Sequence, residues 1–201
     1  MERKAAESVL IVAAVLLLAA APAWAGTCGS EPGRLTCGNT CTNTITGTAG
    51  NDTLNGTSAN DCIFGLGGID TIWGSTGDDC LCGDTGDDVI FSALGNDFAD
   101  GGDGNDEIYG AGGNDTLDGW NGGDFADGEG DTDTVLGFND ADELWGGSGN
   151  DSVFGESEND TLYGGGGNDS LDGGSGSDKC DGGAGTNTCS NCETKPFGCP
   201  P

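Results

Sequence analysis

The sequence predicts an all-β solenoid: two short parallel sheets of stacked three-residue strands, built at 18 residues per coil. Three observations carry this reading. From Gly47 to Ser190 one nine-residue phrase recurs sixteen times without a gap. Slots one to six of the phrase are Gly, polar residues and Asp, a turn composition, whereas slots seven to nine are short and often β-branched or aromatic, a strand composition. Slot eight carries no charge in any copy, from Leu54 and Ile63 to Cys180 and Cys189.

One turn plus one strand does not close a coil, but two repeats do. Odd repeats then stack into one parallel sheet and even repeats into a second. Their slot-eight side chains meet between the sheets, and slots seven and nine face outward by the period-two rule. Eight coils at ~4.8 Å per step give a rod of about 38 Å. With one aliphatic per nine residues the core is thin, and at ~25 cal/mol per Å² of apolar burial it does not by itself overcome chain entropy and charge repulsion.

In chain order, residues 1–25 read as a signal peptide. Arg3 and Lys4 form a positive start, Val9 to Ala21 is a 13-residue apolar run, and Ala23-Trp24-Ala25 supplies the cleavage site. The run falls short of the ~20 residues that span a bilayer, which disfavours a retained anchor, and Thr27 before Cys28 disfavours a lipid anchor. Residues 26–46 read as a Cys-containing N-terminal cap, in which Gly38 to Thr46 is a decayed repeat with Asn43 and Ile45 in slots six and eight. Residues 47–190 are the array, and residues 191–201 a Cys/Pro-rich C-terminal tail that caps it.

Slot six is the chemical column. It holds Asp52, Asp61, Asp70, Asp79, Asp88, Asp97, Asp106, Asp115, Asp124, Asp133, Asp142, Asp151, Asp160, Asp169 and Asp178, and ends in Asn187. A single such Asp would read as a solvated turn residue with an Asx hydrogen bond; fifteen in register read as metal ligands. The formal net charge of -30 excludes nucleic acid and anionic membrane surfaces as partners, and argues against a compact fold without cations. Hard oxygen ligands, with no His in the chain, point to Ca²⁺ over Zn²⁺. Glycine lets the turn backbone adopt φ > 0 and aim carbonyls at an ion.

The phrase Gly-Gly-x-Gly-x-Asp-x-aliphatic-x resembles the RTX (repeats-in-toxin, haemolysin-type) calcium-binding nonapeptide repeat. Gly101 to Tyr109, Gly146 to Phe154 and Gly164 to Asp172 are close matches, and the resemblance covers 144 of 201 residues. It implies a right-handed parallel β-roll with multiple Ca²⁺ ions between successive turns, held by the slot-six carboxylates and turn carbonyls. Four repeats depart from it by replacing the slot-four Gly with Ala59, Asp131, Asp140 or Glu158, and Ser92 replaces one slot-one Gly. Many members of that family leave by a C-terminal signal, unlike the N-terminal one read here.

Ten cysteines, all after the expected cleavage point, fit an oxidising, extracellular destination. Cys62 and Cys80, both in slot seven and 18 residues apart, stack on neighbouring strands ~4.8 Å apart and are the preferred disulfide candidates. Cys82 would then seek Cys28, Cys37 or Cys41, and Cys180, Cys189, Cys192 and Cys199 would pair among themselves; a zinc site at Cys189-x-x-Cys192 is the weaker reading.

Slot nine of the odd repeats stacks Trp73, Phe91 and Tyr109 in one outward column. It reads either as a cross-strand aromatic ladder or as a platform for a glycan or protein partner. The Asn-Asp-Thr sequons arise from the repeat itself, and the slot-seven Thr column of an ice-binding surface is broken by Glu107, Glu143, Phe98, Phe125 and Lys179. Without His there is no Ser-His-Asp triad and no H-E-x-x-H, and no Gly-x-Ser-x-Gly elbow occurs. The expectation is a secreted, non-enzymatic calcium-binding repeat protein with a structural or surface-associated role, or alternatively an adhesion module using the aromatic column.

Overall fold

The structure, a computed structural model, describes residues 26–27, 36–37 (backbone only) and 41–199. The signal peptide expected at 1–25 lies outside the described residues. Strands β1 (Gly26–Thr27) and β2 (Thr36–Cys37) form a small antiparallel pair. Seventeen strands then follow, all parallel within their sheets. They are β3 (Asn43–Thr46), β4 (Thr53–Asn55), β5 (Asp61–Gly67), β6 (Thr71–Thr76), β7 (Cys80–Thr85), β8 (Val89–Leu94), β9 (Phe98–Asp103), β10 (Glu107–Gly112), β11 (Thr116–Asn121), β12 (Phe125–Gly130), β13 (Thr134–Asn139), β14 (Glu143–Ser148), β15 (Ser152–Glu156), β16 (Thr161–Gly166), β17 (Ser170–Asp172), β18 (Lys179–Asp181) and β19 (Thr188–Ser190).

Even-numbered strands, from the odd repeats, make one sheet of eight; odd-numbered strands make the facing sheet of nine. Each strand pairs with the strand two ahead, in a register offset of 18 residues, as in Leu117↔Val135 and Ile108↔Ala126. This is the two-sheet solenoid of 18-residue coils expected from the period, and the roll that the resemblance implies. The decayed repeat supplies β3, which adds a ninth strand at the N-terminal end and pairs Ile45 with Ile63.

The slot-eight column forms the core, fully buried from Ile63 to Cys180, with Ile45, Leu54 and Cys189 closing its ends. In the middle of the array the ladder runs three residues beyond the predicted strand, through slots one to three of the next repeat; Trp120↔Phe138 and Asn121↔Asn139 stay in register. The slot-one Gly makes this continuation possible by letting stacked backbones close up. In twelve of the sixteen repeats slot four turns the chain with φ > 0, which Gly adopts without a Cβ penalty. Asp131, Asp140 and Glu158 are held in the same region, at φ 74, 73 and 76°, so these departures keep the turn.

The cysteines correct one expectation. Cys62 and Cys80 are register partners as the spacing requires, yet Cys62 is bonded to Cys41, with Cα atoms 5.5 Å apart. In-register parallel strands hold their Cα–Cβ bonds parallel, so the Cβ separation stays near the ~4.8 Å strand spacing. That is wider than the ~3.5–4.5 Å a disulfide takes. Cys41 stands just before β3, outside the ladder. Cys80 and Cys82 are also disulfide-bonded; Cys28 and the Cys37 side chain lie outside the described residues. The four C-terminal cysteines pair among themselves, Cys180 with Cys192 and Cys189 with Cys199.

Outward slots are not all exposed. On the nine-stranded sheet Cys62, Cys80, Cys82, Asp100, Asp118 and Leu136 stand in slots seven or nine and are buried, which the alternation rule does not anticipate. Among the described residues no helix is long and apolar enough to cross a membrane.

Candidate metal centre

The slot-six side chains turn inward at the two edges of the roll, where turn meets strand. From Asp61 to Asp178 every one is at most 4% exposed, and Asp52 at the N-terminal end is half-buried. From Asp70 to Asp178, and at Asn187, each uses Oδ1 in the same way. The N–H of the slot-six residue one coil earlier donates to it at 2.7–3.1 Å, in an unbroken series from Asp52→Asp70 to Asp169→Asn187 on the two edges. The backbone runs in parallel: the Asp115 carbonyl accepts the Thr134 N–H at 2.9 Å.

Slot five adds a second ladder of opposite sense. Its Asn or Asp Oδ1 accepts the N–H of the slot-five residue one coil later, at 2.8–3.1 Å, as Asn96 does from Asn114 and Asn168 from Thr186. The preference for Asn at slot five was visible in the repeat, and this bond is what it serves.

The other carboxylate oxygen is different. In thirteen of the fifteen aspartates, Asp70 through Asp178, Oδ2 is buried and accepts no hydrogen bond. Unsatisfied buried carboxylate oxygens are costly, and in native structures they mark ion sites or strain. In the twelve of these repeats that begin with Gly, Oδ2 faces the space beside that slot-one Gly, and in nine of them the carbonyl of the next coil's slot-one residue lies there too. A Cβ added at Gly128 would lie 2.5 Å from Asp133 Oδ2 and 2.7 Å from Gly146 O; at Gly164 it would lie 2.5 Å from Asp169 Oδ2 and 2.8 Å from Gly182 O. Glycine leaves this cradle open, and the oxygens of two stacked turns converge on it. A charged oxygen that accepts no hydrogen bond, beside a neutral carbonyl oxygen, fits a hard divalent cation such as Ca²⁺. Ser92 is the exception at slot one, and its Oγ is buried beside the same kind of cradle without a hydrogen-bond partner.

Electrostatics lead to the same chemistry. Burial pushes the carboxyl pKa of Asp97, Asp124 and Asp133 up to about 8, partly offset by the backbone hydrogen bond each accepts and reinforced by neighbouring acids. Asp106 and Asp142 rise to about 7, and Asp79, Asp88, Asp115 and Asp160 to about 6, with burial again the largest cause. Carboxylates that ionise so reluctantly by themselves are stabilised by a cation at the orphaned oxygen.

Asp52 and Asp61 stand apart. Their Oδ2 atoms accept the backbone N–H and side-chain hydroxyl of Thr48 and Thr57, respectively.

The aromatic column is a ladder in geometry. Trp73 and Phe91 stack with centroids 4.1 Å apart and 18° between planes, and Phe91 and Tyr109 at 5.1 Å and 9°. Tyr109 then meets Phe125 at 5.6 Å. Trp145 and Tyr163 continue the column at 4.0 Å, and Lys179 Nζ lies 5.4 Å from the Tyr163 centroid. The rings turn their faces to one another and their edges outward. A second pair, Trp120 and Phe138 at 5.0 Å, sits on the opposite sheet in slot two; assigning slot two to the turn alone concealed it.

A family model described as RTX calcium-binding nonapeptide repeat (4 copies) matches the chain in overlapping stretches, at residues 38–72, 56–90, 91–126, 118–153, 127–162 and 154–189. Comparison with curated proteins gives no match.

Proposed function

Because the chain belongs to the RTX calcium-binding nonapeptide repeat family, we propose that it is a secreted, non-enzymatic β-roll that folds on binding multiple Ca²⁺ ions through its slot-six aspartates. The observation that carries this reading is the row of thirteen buried carboxylate oxygens without a hydrogen-bond partner, twelve of them facing a cradle opened by a slot-one glycine. A bound ion supplies positive charge between two stacked turns. The chain supplies the Asp Oδ2, the slot-one carbonyls, and the N–H donors that orient Oδ1. Binding and folding are then one process, because unfolded turns present no cradle. At low Ca²⁺ the net charge of -30 expands the chain. At extracellular Ca²⁺, near the ~10⁻⁴–10⁻³ M affinity of extracellular sites, it collapses into the rod. Three disulfides among the described residues support an oxidising, extracellular address, as does the signal-like composition of residues 1–25 in the sequence, and a structural or surface-associated role is the one proposed with it.

Far-UV circular dichroism during a Ca²⁺ titration tests the proposal: the β signal is expected to appear cooperatively and to vanish with chelator. A β signal that chelator leaves unchanged sinks it. The adhesion reading keeps one supporting observation, that Trp73 at the end of the column is 43% exposed. The stacked faces of the remaining rings favour a stiffening ladder. Loss of glycan-array binding in Trp73→Ala, with folding intact, would restore the platform.

A further inference from the structure

The cradles are not equivalent along the roll. In repeats three to sixteen the slot-two residue has φ > 0 without exception, from Leu66 at 78° to Gly183 at 68°; Thr48 and Thr57, in slot two of the first two repeats, do not. Their different backbone folds two donors onto the carboxylate. Asp52 Oδ2 accepts the Thr48 N–H at 2.6 Å and its hydroxyl at 2.8 Å. Asp61 Oδ2 accepts the Thr57 N–H at 2.5 Å and its hydroxyl at 2.9 Å. Asn43 secures the second arrangement, donating Nδ2 to Thr57 Oγ1 at 3.1 Å and to Asp61 Oδ1 at 2.5 Å. A carboxylate oxygen with two donors is satisfied, and the donor hydrogens occupy the approach a cation would use.

The other end reaches the same result by changing the residue. Asn187 keeps the ladder, accepting the Asp169 N–H on Oδ1 at 2.8 Å. Its Nδ2 stands where the other repeats have Oδ2, and donates to Gly182 O at 2.5 Å. The two bonds fix the amide orientation, since a flip would set donor against donor.

We propose that these three cradles are closed by the chain's own donors and take no ion. Ca²⁺ is thereby confined to the cradles between them, and both ends of the roll are held without it. The inference rests on the calcium-binding reading above. The disulfides fall on the same terminal coils: Cys41–Cys62 at one end, Cys180–Cys192 and Cys189–Cys199 at the other. The ends therefore remain as ion-independent templates on which the metal-dependent middle builds.

The test is Ca²⁺ bound at saturation, measured on the full chain by equilibrium dialysis with elemental analysis. Relative to wild type, the double variant Thr48→Gly/Thr57→Gly is expected to bind two more ions, because Gly removes the hydroxyl and frees slot two for φ > 0. Asn187→Asp is expected to bind one more. Unchanged counts in variants with wild-type circular dichroism overturn the proposal. Hydrogen exchange on wild type in chelator gives a second readout, independent of variant folding. Amides of the Thr48–Asp52, Thr57–Asp61 and Asn187 turns are expected to stay protected while those around Asp115 and Asp124 exchange; uniform exchange along the array overturns it. A wild type that takes up no Ca²⁺ defeats the calcium reading itself, and is distinguishable because it leaves no count to compare.

Discussion

Asp133→Asn separates the two roles of a slot-six carboxylate, because the structure predicts opposite effects with and without Ca²⁺. Asp133 is 1% exposed, and its Oδ1 accepts the Asp115 N–H at 2.8 Å. Its Oδ2 is orphaned beside Gly146 O, and burial raises its pKa to about 8. The amide keeps Oδ1 and turns Nδ2 toward the carbonyl of Gly128, the first residue of its own repeat, as Asn187 does toward Gly182. In chelator the variant loses a carboxylate that resists ionisation and gains a hydrogen bond worth about 1 kcal/mol, so it is more stable by at least about that amount. In Ca²⁺ at about ten to a hundred times the site dissociation constant, an ion contributes about 1.4–2.7 kcal/mol. Losing it outweighs the new bond, and the variant is less stable by about 1 kcal/mol. Far-UV circular dichroism followed against urea in saturating Ca²⁺, and against rising pH from about 4 in chelator, reads both signs: a lower urea midpoint in the first and a β signal held to higher pH in the second. A shift of the same sign in both solutions would refute the reasoning.

Three further outcomes follow from the same geometry. An acid whose folded pKa is raised stabilises the fold below its unfolded value and loses that contribution as pH rises through the folded value. With Asp79 and Asp88 at about 6 and Asp97 and Asp124 at about 8, the chelated protein should hold most β structure near pH ~4 and lose it between about pH 4 and 8; circular dichroism that strengthens with pH in chelator would contradict this. Leu117→Ala, at a fully buried position between Ala99 and Val135, should cost about 3 kcal/mol in Ca²⁺ by urea unfolding, and a loss under about 1 kcal/mol would deny the core its role. Non-reducing peptide mapping should recover Cys41 linked to Cys62, and a Cys62–Cys80 peptide would restore the pairing suggested by spacing alone.

Much of the roll is legible in the repeat because one period encodes both coil length and facing. Leu117 and Ile108 point inward wherever an 18-residue coil is drawn. The slot-six column announces a metal site for the same reason, since only a recurring backbone geometry demands a recurring carboxylate. What escapes is directional. Spacing places Cys62 beside Cys80 but does not reveal that their Cβ vectors run parallel, which leaves Cys41 as the partner. Nor does the repeat distinguish Asp52 from Asp70. The difference lies in the φ of Thr48, and Thr in a variable slot carries no warning of it. Burial of Asp100 and Asp118 is likewise invisible, because alternation assigns a side chain to a face without saying whether that face is covered.

The two side-chain ladders have a consequence for the length of the molecule. Slot six receives from the coil before and slot five gives its acceptor to the coil after, so each turn is keyed to neighbours 18 residues away on its own edge. Removing a single nonapeptide would send every downstream strand to the opposite sheet. Taken from between Tyr109 and Trp145, it would split the stack of Trp73, Phe91 and Tyr109 from Trp145 and Tyr163. Growth or loss of this array by repeat slippage is therefore quantised in pairs, and its sixteen repeats are eight indivisible units.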